Sequence, residues 1–186
     1  LVNLAKYADI SVEVDDPRNA DDLSRAALKE GVTLNVLIDV HVGAQRFGVE
    51  PGEPVVKLAK YINTLRGLRL IGIMGNEGHT SWIEPRDQRR KEVERLDRLL
   101  VDTKKQMEKA GISVEEISSG STGTYEVSGA NSEITSVRAG SYVLMDATYK
   151  PHAPEFECAL TVLASVISKN PPGILVADCG MVSISS

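Results

Sequence analysis

Cysteine is almost absent: Cys158 and Cys179 are the only two in 186 residues. They form no CxxC knuckle and are too few for a disulfide framework, so a reduced, cytoplasmic setting is the expectation. No apolar run approaches the roughly 18 residues of a membrane span. The first residues lack the charged-then-apolar layout of a signal peptide. Excess positive charge is missing too. Lys and Arg number 21 against 26 Asp and Glu, a net charge of −5, which disfavours nucleic acid and membrane surfaces as partners. The basic stretch Arg86-Asp87-Gln88-Arg89-Arg90-Lys91 opens a helix and solvates it. Aromatic residues are few, at 4%. No Gly-x-Gly-x-x-Gly opens a helix, which leaves a Rossmann dinucleotide site without support. The first residue is Leu1 rather than Met, and a fragment of a longer protein is the expectation.

What remains is an ordinary globular composition, 42% hydrophobic and 25% charged, with length for one domain or slightly more. Ile10–Val14 alternates and reads as a strand, broken by Asp15-Asp16-Pro17. Asn19 can cap a helix over Ala20–Glu30, with Gly31 just past its end. Leu34–Val42 is a near-continuous apolar run, the mark of a parallel strand covered on both faces. Pro54 suits a first helical turn, and Val55, Leu58, Ala59 and Ile62 then keep helical spacing up to Gly67. Leu68–Met74 is a second buried run. A long amphipathic helix is predicted over Arg89–Ala110, a strand over Ile112–Ser118, and short strand-like pieces over Glu133–Val137 and Tyr142–Met145. This alternation implies a parallel sheet with covering helices. A TIM-type barrel is favoured because the interesting residues fall just after strands, where that fold places its site. About five strands precede Tyr149, so the barrel is incomplete. Prolines 151, 154, 171 and 172 then punctuate a β-rich texture over Cys158–Ser168 and Gly173–Ala177. The predicted domains are a barrel over residues 1–150 and the beginning of a second, mainly β domain over residues 151–186.

Four strand-end clusters could carry chemistry. In the first, period-two alternation puts Asn35, Leu37, Asp39 and His41 on one face. Arg46 is the obvious partner for Asp39, either as a structural ion pair or as a guanidinium offered to an oxyanion such as a phenolate. The second is Gly75-Asn76-Glu77-Gly78-His79-Thr80. There His79 reads either as a ring-contacting or acid/base group or as a solvated loop histidine. The third is Ser119-Gly120-Ser121-Thr122-Gly123-Thr124-Tyr125. A turn this rich in Gly, Ser and Thr offers backbone N–H groups and hydroxyls to an anion, though surface loops share the composition. The fourth is Arg138-Ala139-Gly140-Ser141-Tyr142, followed by Asp146 and Tyr149. Together they suggest a barrel holding an aromatic, phosphorylated cofactor, its phosphate at the third and fourth clusters and its ring between the first and second.

Across Val36–Val49, Gly72–His79, Ser118–Tyr125 and Val137–Tyr149, the chain resembles the D-threonine aldolase and D-serine dehydratase group. These are pyridoxal-phosphate enzymes of the alanine-racemase-like barrel type. The resemblance runs from about Asp9 to Gly180. It implies that Arg46 contacts the pyridoxal 3-oxygen and that Asp39 stands where alanine racemases orient that arginine. Gly120, Ser121, Thr122, Gly123 and Thr124, with Gly140, Ser141 and Tyr142, would form the phosphate cradle. Arg138 falls where the racemases set an arginine against the pyridine nitrogen, a position that is neutral in many aldolases of the group; an arginine there weakens the ring as an electron sink. Asn76 and His79 would be pocket residues near the ring, and His79 and Arg46 are the catalytic candidates.

Two features of that group are missing from the sequence. No lysine sits in the context of the Schiff-base lysine, which belongs to a strand upstream, and the metal-binding pair belongs to a C-terminal part. No metal ligand is therefore assigned here, although a divalent metal is expected in a full chain. The implied activity is that of a lyase acting on β-hydroxy D-amino acids, by cleavage to glycine and an aldehyde or by dehydration. The alternatives are an amino-acid racemase and a non-catalytic pyridoxal-phosphate-binding barrel. A small amino acid is the expected partner, with neither nucleic acid nor membrane, and a homodimer is a candidate assembly.

Overall fold

Leu34–Asp39 is buried along its whole length, and the sheet is built around it. A computed structural model describes residues 1–180. The chain separates into two compact units, residues 1–140 and the residues from Ser141 onward. In the first unit, strands β1 (Ser11–Val14), β2 (Leu34–Asp39), β3 (Leu68–Met74), β4 (Glu116–Ser119) and β5 (Ser136–Val137) form one sheet in sequential order. Every pairing is parallel. Sequential parallel order is the winding of a β/α barrel, and a doubly wound sheet would reverse it at a switch point. The expected parallel sheet with covering helices is thus what the chain forms, with five of the eight strands a barrel requires.

The sheet also curls. Arg138, just past β5, donates from Nη1 to the Glu13 carboxylate on β1 at 2.5 Å. A flat five-stranded sheet would hold its outer strands about 19 Å apart, at about 4.8 Å per step. Side chains bridge that gap only if the sheet bends so that its first and fifth strands face each other. Two cores follow from the alternation. Val36, Ile38 and Val40 pack outward with Val55, Ala59, Ile62, Leu96 and Leu100 of the helices. Leu37 packs inward with Ile71 and Met74. Asp39 lies in phase with Leu37, on the inward face.

The helices are α1 (Pro17–Glu30), α2 (Glu53–Ile62), α3 (Arg86–Lys109) and the single turn α4 (Tyr125–Ser128). Helix α1 starts three residues earlier than predicted. Pro17 occupies its first turn, and the cap is Asp16, which accepts from the Arg18 N–H at 2.7 Å, rather than Asn19. Proline ends a strand but also starts a helix, because its missing N–H is one the first turn leaves unpaired. The fourth strand starts later than predicted. Residues Ile112 to Val114 close off α3, with the Ile112 N–H reaching Met107 O at 3.0 Å, and the ladder with β3 opens at Gly72 opposite Glu116. A Cβ on Gly72 would lie 1.8 Å from Glu116 O, so only glycine lets these strands approach.

In the second unit, the strand-like piece expected over Tyr142–Met145 is instead a 3-10 turn, Ser141–Val143. Its alternation reflects packing, with the Tyr142 and Phe156 rings 5.4 Å apart. Among the described residues, the expected β texture is an antiparallel pair, β6 (Val166–Ser168) and β7 (Val176–Ala177). The predicted boundary at residues 150 and 151 falls inside this unit, and the last six residues of the predicted second domain lie outside the described residues. No helix among the described residues is long and apolar enough to cross a membrane.

Candidate functional site

Parallel strands β2 to β5 end side by side, and their C-terminal ends carry the first three predicted clusters and the start of the fourth, Arg138–Gly140, in order. From β2, Asp39 points inward and is 3% exposed. Its Oδ2 is buried without a hydrogen-bond partner. Burial raises its carboxyl to a pKa of about 7, aided by Glu13 and Asp15 and opposed by Arg46 and Arg138. Beside it opens a cavity of about 370 Å³ lined by Glu13, Val14, Asp15, Asn19, Asp39 and Phe47. The expected ion pair between Asp39 and Arg46 is not made. Val40 and His41 pair with Val49, which closes residues 41–49 into a separate loop with positive φ at Gly43, Gln45 and Gly48. Arg46 rides on that loop with its guanidinium 4.6 Å from the Phe47 ring centroid, a cation–π contact that keeps it in solvent.

After β3, Asn76 accepts from the Gly78 N–H at 3.0 Å and starts a 3-10 turn over Gly78–Trp82. His79, on that turn, lies against Gly43. Its burial lowers the imidazole pKa, which Glu92 raises and Arg95 and His41 lower further. His41 itself faces Glu50, with Nδ1 at 3.3 Å from the carboxylate.

After β4 comes the glycine- and hydroxyl-rich turn. Gly120 takes φ +85°, and a Cβ there would strike Val137 Cγ1 at 2.7 Å. Glycine is therefore needed both for the left-handed backbone and for close approach to β5. Two buried carboxylates hold this turn, Glu77 from the second cluster and Asp97 from α3, which lies outside the four clusters. Glu77 is fully buried. It accepts from the Gly120 N–H at 3.0 Å and from the Thr124 hydroxyl. Asp97 of α3 accepts from the Ser119 and Ser128 hydroxyls at 2.8 and 3.3 Å. Burial raises both pKa values, against those hydrogen bonds. The sequence signal for Asp97 is its place among Val93, Leu96 and Leu100, a carboxylate on an apolar stripe. Glu77 gave a weaker one, an acid directly following a buried strand. The inward side of the turn is thus fully committed. Ser121 offers its N–H to Thr124 Oγ1 at 2.9 Å, and its hydroxyl lies 2.9 Å from Ser81 Oγ. The Gly123 N–H makes no hydrogen bond to the described residues, and Thr122 is buried.

After β5, Arg138 donates from Nε to Ser118 Oγ at 2.7 Å as well as to Glu13, so its guanidinium is fixed at the inward end of the strands. Gly140 closes the first unit, while Ser141 and Tyr142 lie in the second. The structure therefore brings Asn76, Gly120–Thr124 and Arg138 to neighbouring strand ends and sets Arg46 on the loop beyond β2. Among the described residues no lysine directly follows a strand of the sheet. An anion meeting the outer side of the turn, with a ring lying toward Arg138 and Asp39, suits these donors.

Residues 1–148 match the family described as alanine racemase, N-terminal domain. The chain is 32% identical to a D-threonine aldolase of an Arthrobacter species, covering all of this chain and 50% of that protein. It is 31% identical to a 3-hydroxy-D-aspartate aldolase of Paracoccus denitrificans, covering 94% and 47%. The crystal structure of a D-threonine aldolase from Filomicrobium marinum superposes with a TM-score of 0.90 at 32% identity, over 96% of this chain and 50% of that one. A D-threo-3-hydroxyaspartate dehydratase from Delftia shares the fold at 24% identity and a TM-score of 0.74. The chain spans about half the length of the curated relatives it matches.

Proposed function

Because the chain belongs to the alanine racemase N-terminal domain family, we propose that its protein is a pyridoxal-phosphate-dependent lyase for β-hydroxy D-amino acids, either an aldolase or a dehydratase. The observation that carries this is the superposition on a D-threonine aldolase at a TM-score of 0.90. When bound, the cofactor supplies the electron sink for cleaving the α–β bond or expelling the β-hydroxyl. The residues present fit it. The Ser121–Gly123 segment, shaped by Gly120 and Thr124, would take the phosphate on its outer side, with Thr122 beside it and the Gly123 N–H as the donor that has no partner among the described residues, and Gly140 would extend that rim. Arg138, already fixed by Ser118 and Glu13, would stand against the pyridine nitrogen and keep a proton off it. Arg46 would hold the 3-oxygen, which would bring a cation toward Asp39, whose Oδ2 has no partner. Asn76 and His79 flank the ring. Burial lowers the His79 imidazole pKa and so favours its neutral form, the form that can accept a proton.

A divalent metal that polarises the substrate hydroxyl belongs to the same reading, as do a cytoplasmic setting and a homodimer. Among the described residues no three His, Cys, Asp or Glu side chains are grouped to hold a metal. The test is to incubate the cofactor-loaded full-length protein with D-threonine and D-serine separately. Glycine from the first indicates the aldolase and a keto acid from the second the dehydratase, and either activity should fall on chelation and return with added metal. Racemisation of an amino acid without either product would overturn the proposal.

A further inference from the structure

We propose that Glu77 is a positioning residue that makes the Gly120–Thr124 turn selective for a phosphorylated ligand. This rests on the reading of that turn as a phosphate rim. Glu77 lies outside the set of groups expected to meet a cofactor and has no contact with solvent. Its two carboxylate oxygens accept from the two ends of the same turn, one from the Gly120 N–H and the other from the Thr124 hydroxyl. The arrangement has a direction. Thr124 gives its proton to Glu77, so its oxygen is left to accept the Ser121 N–H at 2.9 Å. Ser121 is thereby drawn inward at its backbone, while its hydroxyl meets Ser81 Oγ at 2.9 Å. The Gly123 N–H, between the two anchored ends, has no partner among the described residues. The backbone of Glu77 is braced in turn, its carbonyl accepting both the N–H and the hydroxyl of Thr80 at 2.8 Å.

A buried carboxylate is an inefficient way to gain stability, since desolvation offsets most of what its hydrogen bonds return; its better-attested use is to select one conformation over others. Here the conformation selected is that of an anion rim. The internal anion takes the inward donors, so an incoming phosphate meets the outer side of the turn, with the backbone already in shape. Without Glu77, the Gly120 N–H and Thr124 hydroxyl would turn to other acceptors and the rim would lose its form.

The experiment titrates the apo form of the full-length protein with pyridoxal phosphate and with pyridoxal, which lacks the phosphate. The readout is the ratio of the two affinities within one preparation, in which any unfolded fraction cancels. The wild type should prefer the phosphorylated ligand. Glu77→Ala should lower that preference about tenfold or more, the scale on which outer-sphere partners act on a bound group, and leave pyridoxal affinity unchanged. Glu77→Gln, which keeps one acceptor, should fall between the two. A Glu77→Ala protein with the wild-type ratio, or one that loses both affinities equally, overturns the proposal. Should Glu77→Ala not fold, Glu77→Gln decides by the same ratio, a lowered value supporting the proposal and an unchanged one overturning it. A wild type that binds both ligands equally would instead overturn the phosphate reading of the turn, and this proposal with it.

Discussion

Asp39 ends β2 with a buried carboxylate oxygen, Oδ2, that meets no hydrogen-bond partner. Alternation along β2 places Asn35, Leu37 and Asp39 on one face, and the structure turns that face inward with Asp39 3% exposed. The partner was not legible. Arg46 lies seven residues on, and its direction depends on the backbone turns at Gly43 and Gln45, which spacing cannot encode. The unmet carboxylate has a measurable cost. Its folded pKa is about 7 against 3.8 in the reference state. Between those values the unfolded chain gives up a proton that the folded chain keeps, so this group makes stability fall as pH rises through that window and level off above it. Asp39→Asn in the unliganded protein should therefore match the wild type near pH 4 and exceed it at pH 8 by a few kcal/mol, each pKa unit being worth about 1.4 kcal/mol. Urea denaturation at the two pH values checks this, and equal stability at pH 8 would count against it. The roles of Glu77 and Asp97 are hidden for a related reason: their positions carry a signal, but each role is defined by the loop it holds, and that loop comes from a different part of the chain.

Elements were easier to read than their ends. The predicted strand over Leu68–Met74 coincides with β3, because a buried run bounded by Gly67 and Gly75 has little freedom to slide. The long helix starts at Arg86, where the basic stretch Arg86–Lys91 is read as opening a helix, and three residues before the predicted amphipathic span at Arg89, since charged residues give a first turn no periodic signature. Within β3, Gly72 is the position where side-chain volume matters most. Gly72→Ala would force β3 and β4 apart at Glu116, at a cost of about 3 kcal/mol or more, the upper range for overpacking. The expected outcome is a lower urea midpoint with an unchanged m-value. A variant as stable as the wild type would mean that the two strands can separate freely at this register.

At the scale of the molecule, the order of five strands and their parallel winding followed from the alternation of apolar runs with helical periods, and that alternation was sufficient because each covering segment is local in sequence. The second unit lacks such repetition. Leu163 and Leu175 are exposed, and among the described residues of this unit only Val166–Ser168 and Val176–Ala177 pair, since a ladder forms only where a partner strand is at hand. In the first unit, the ion pair of Glu13 with Arg138 joins residues 125 positions apart, and this has a kinetic consequence. Closing so long a loop is rewarded only once the intervening strands are stacked and bent. The pair should then form after the rate-limiting step of folding and act as a latch on the way out. Glu13→Gln is expected to quicken unfolding and leave the refolding arm of a chevron plot in place, whereas a slowed refolding arm would put the latch inside the nucleus.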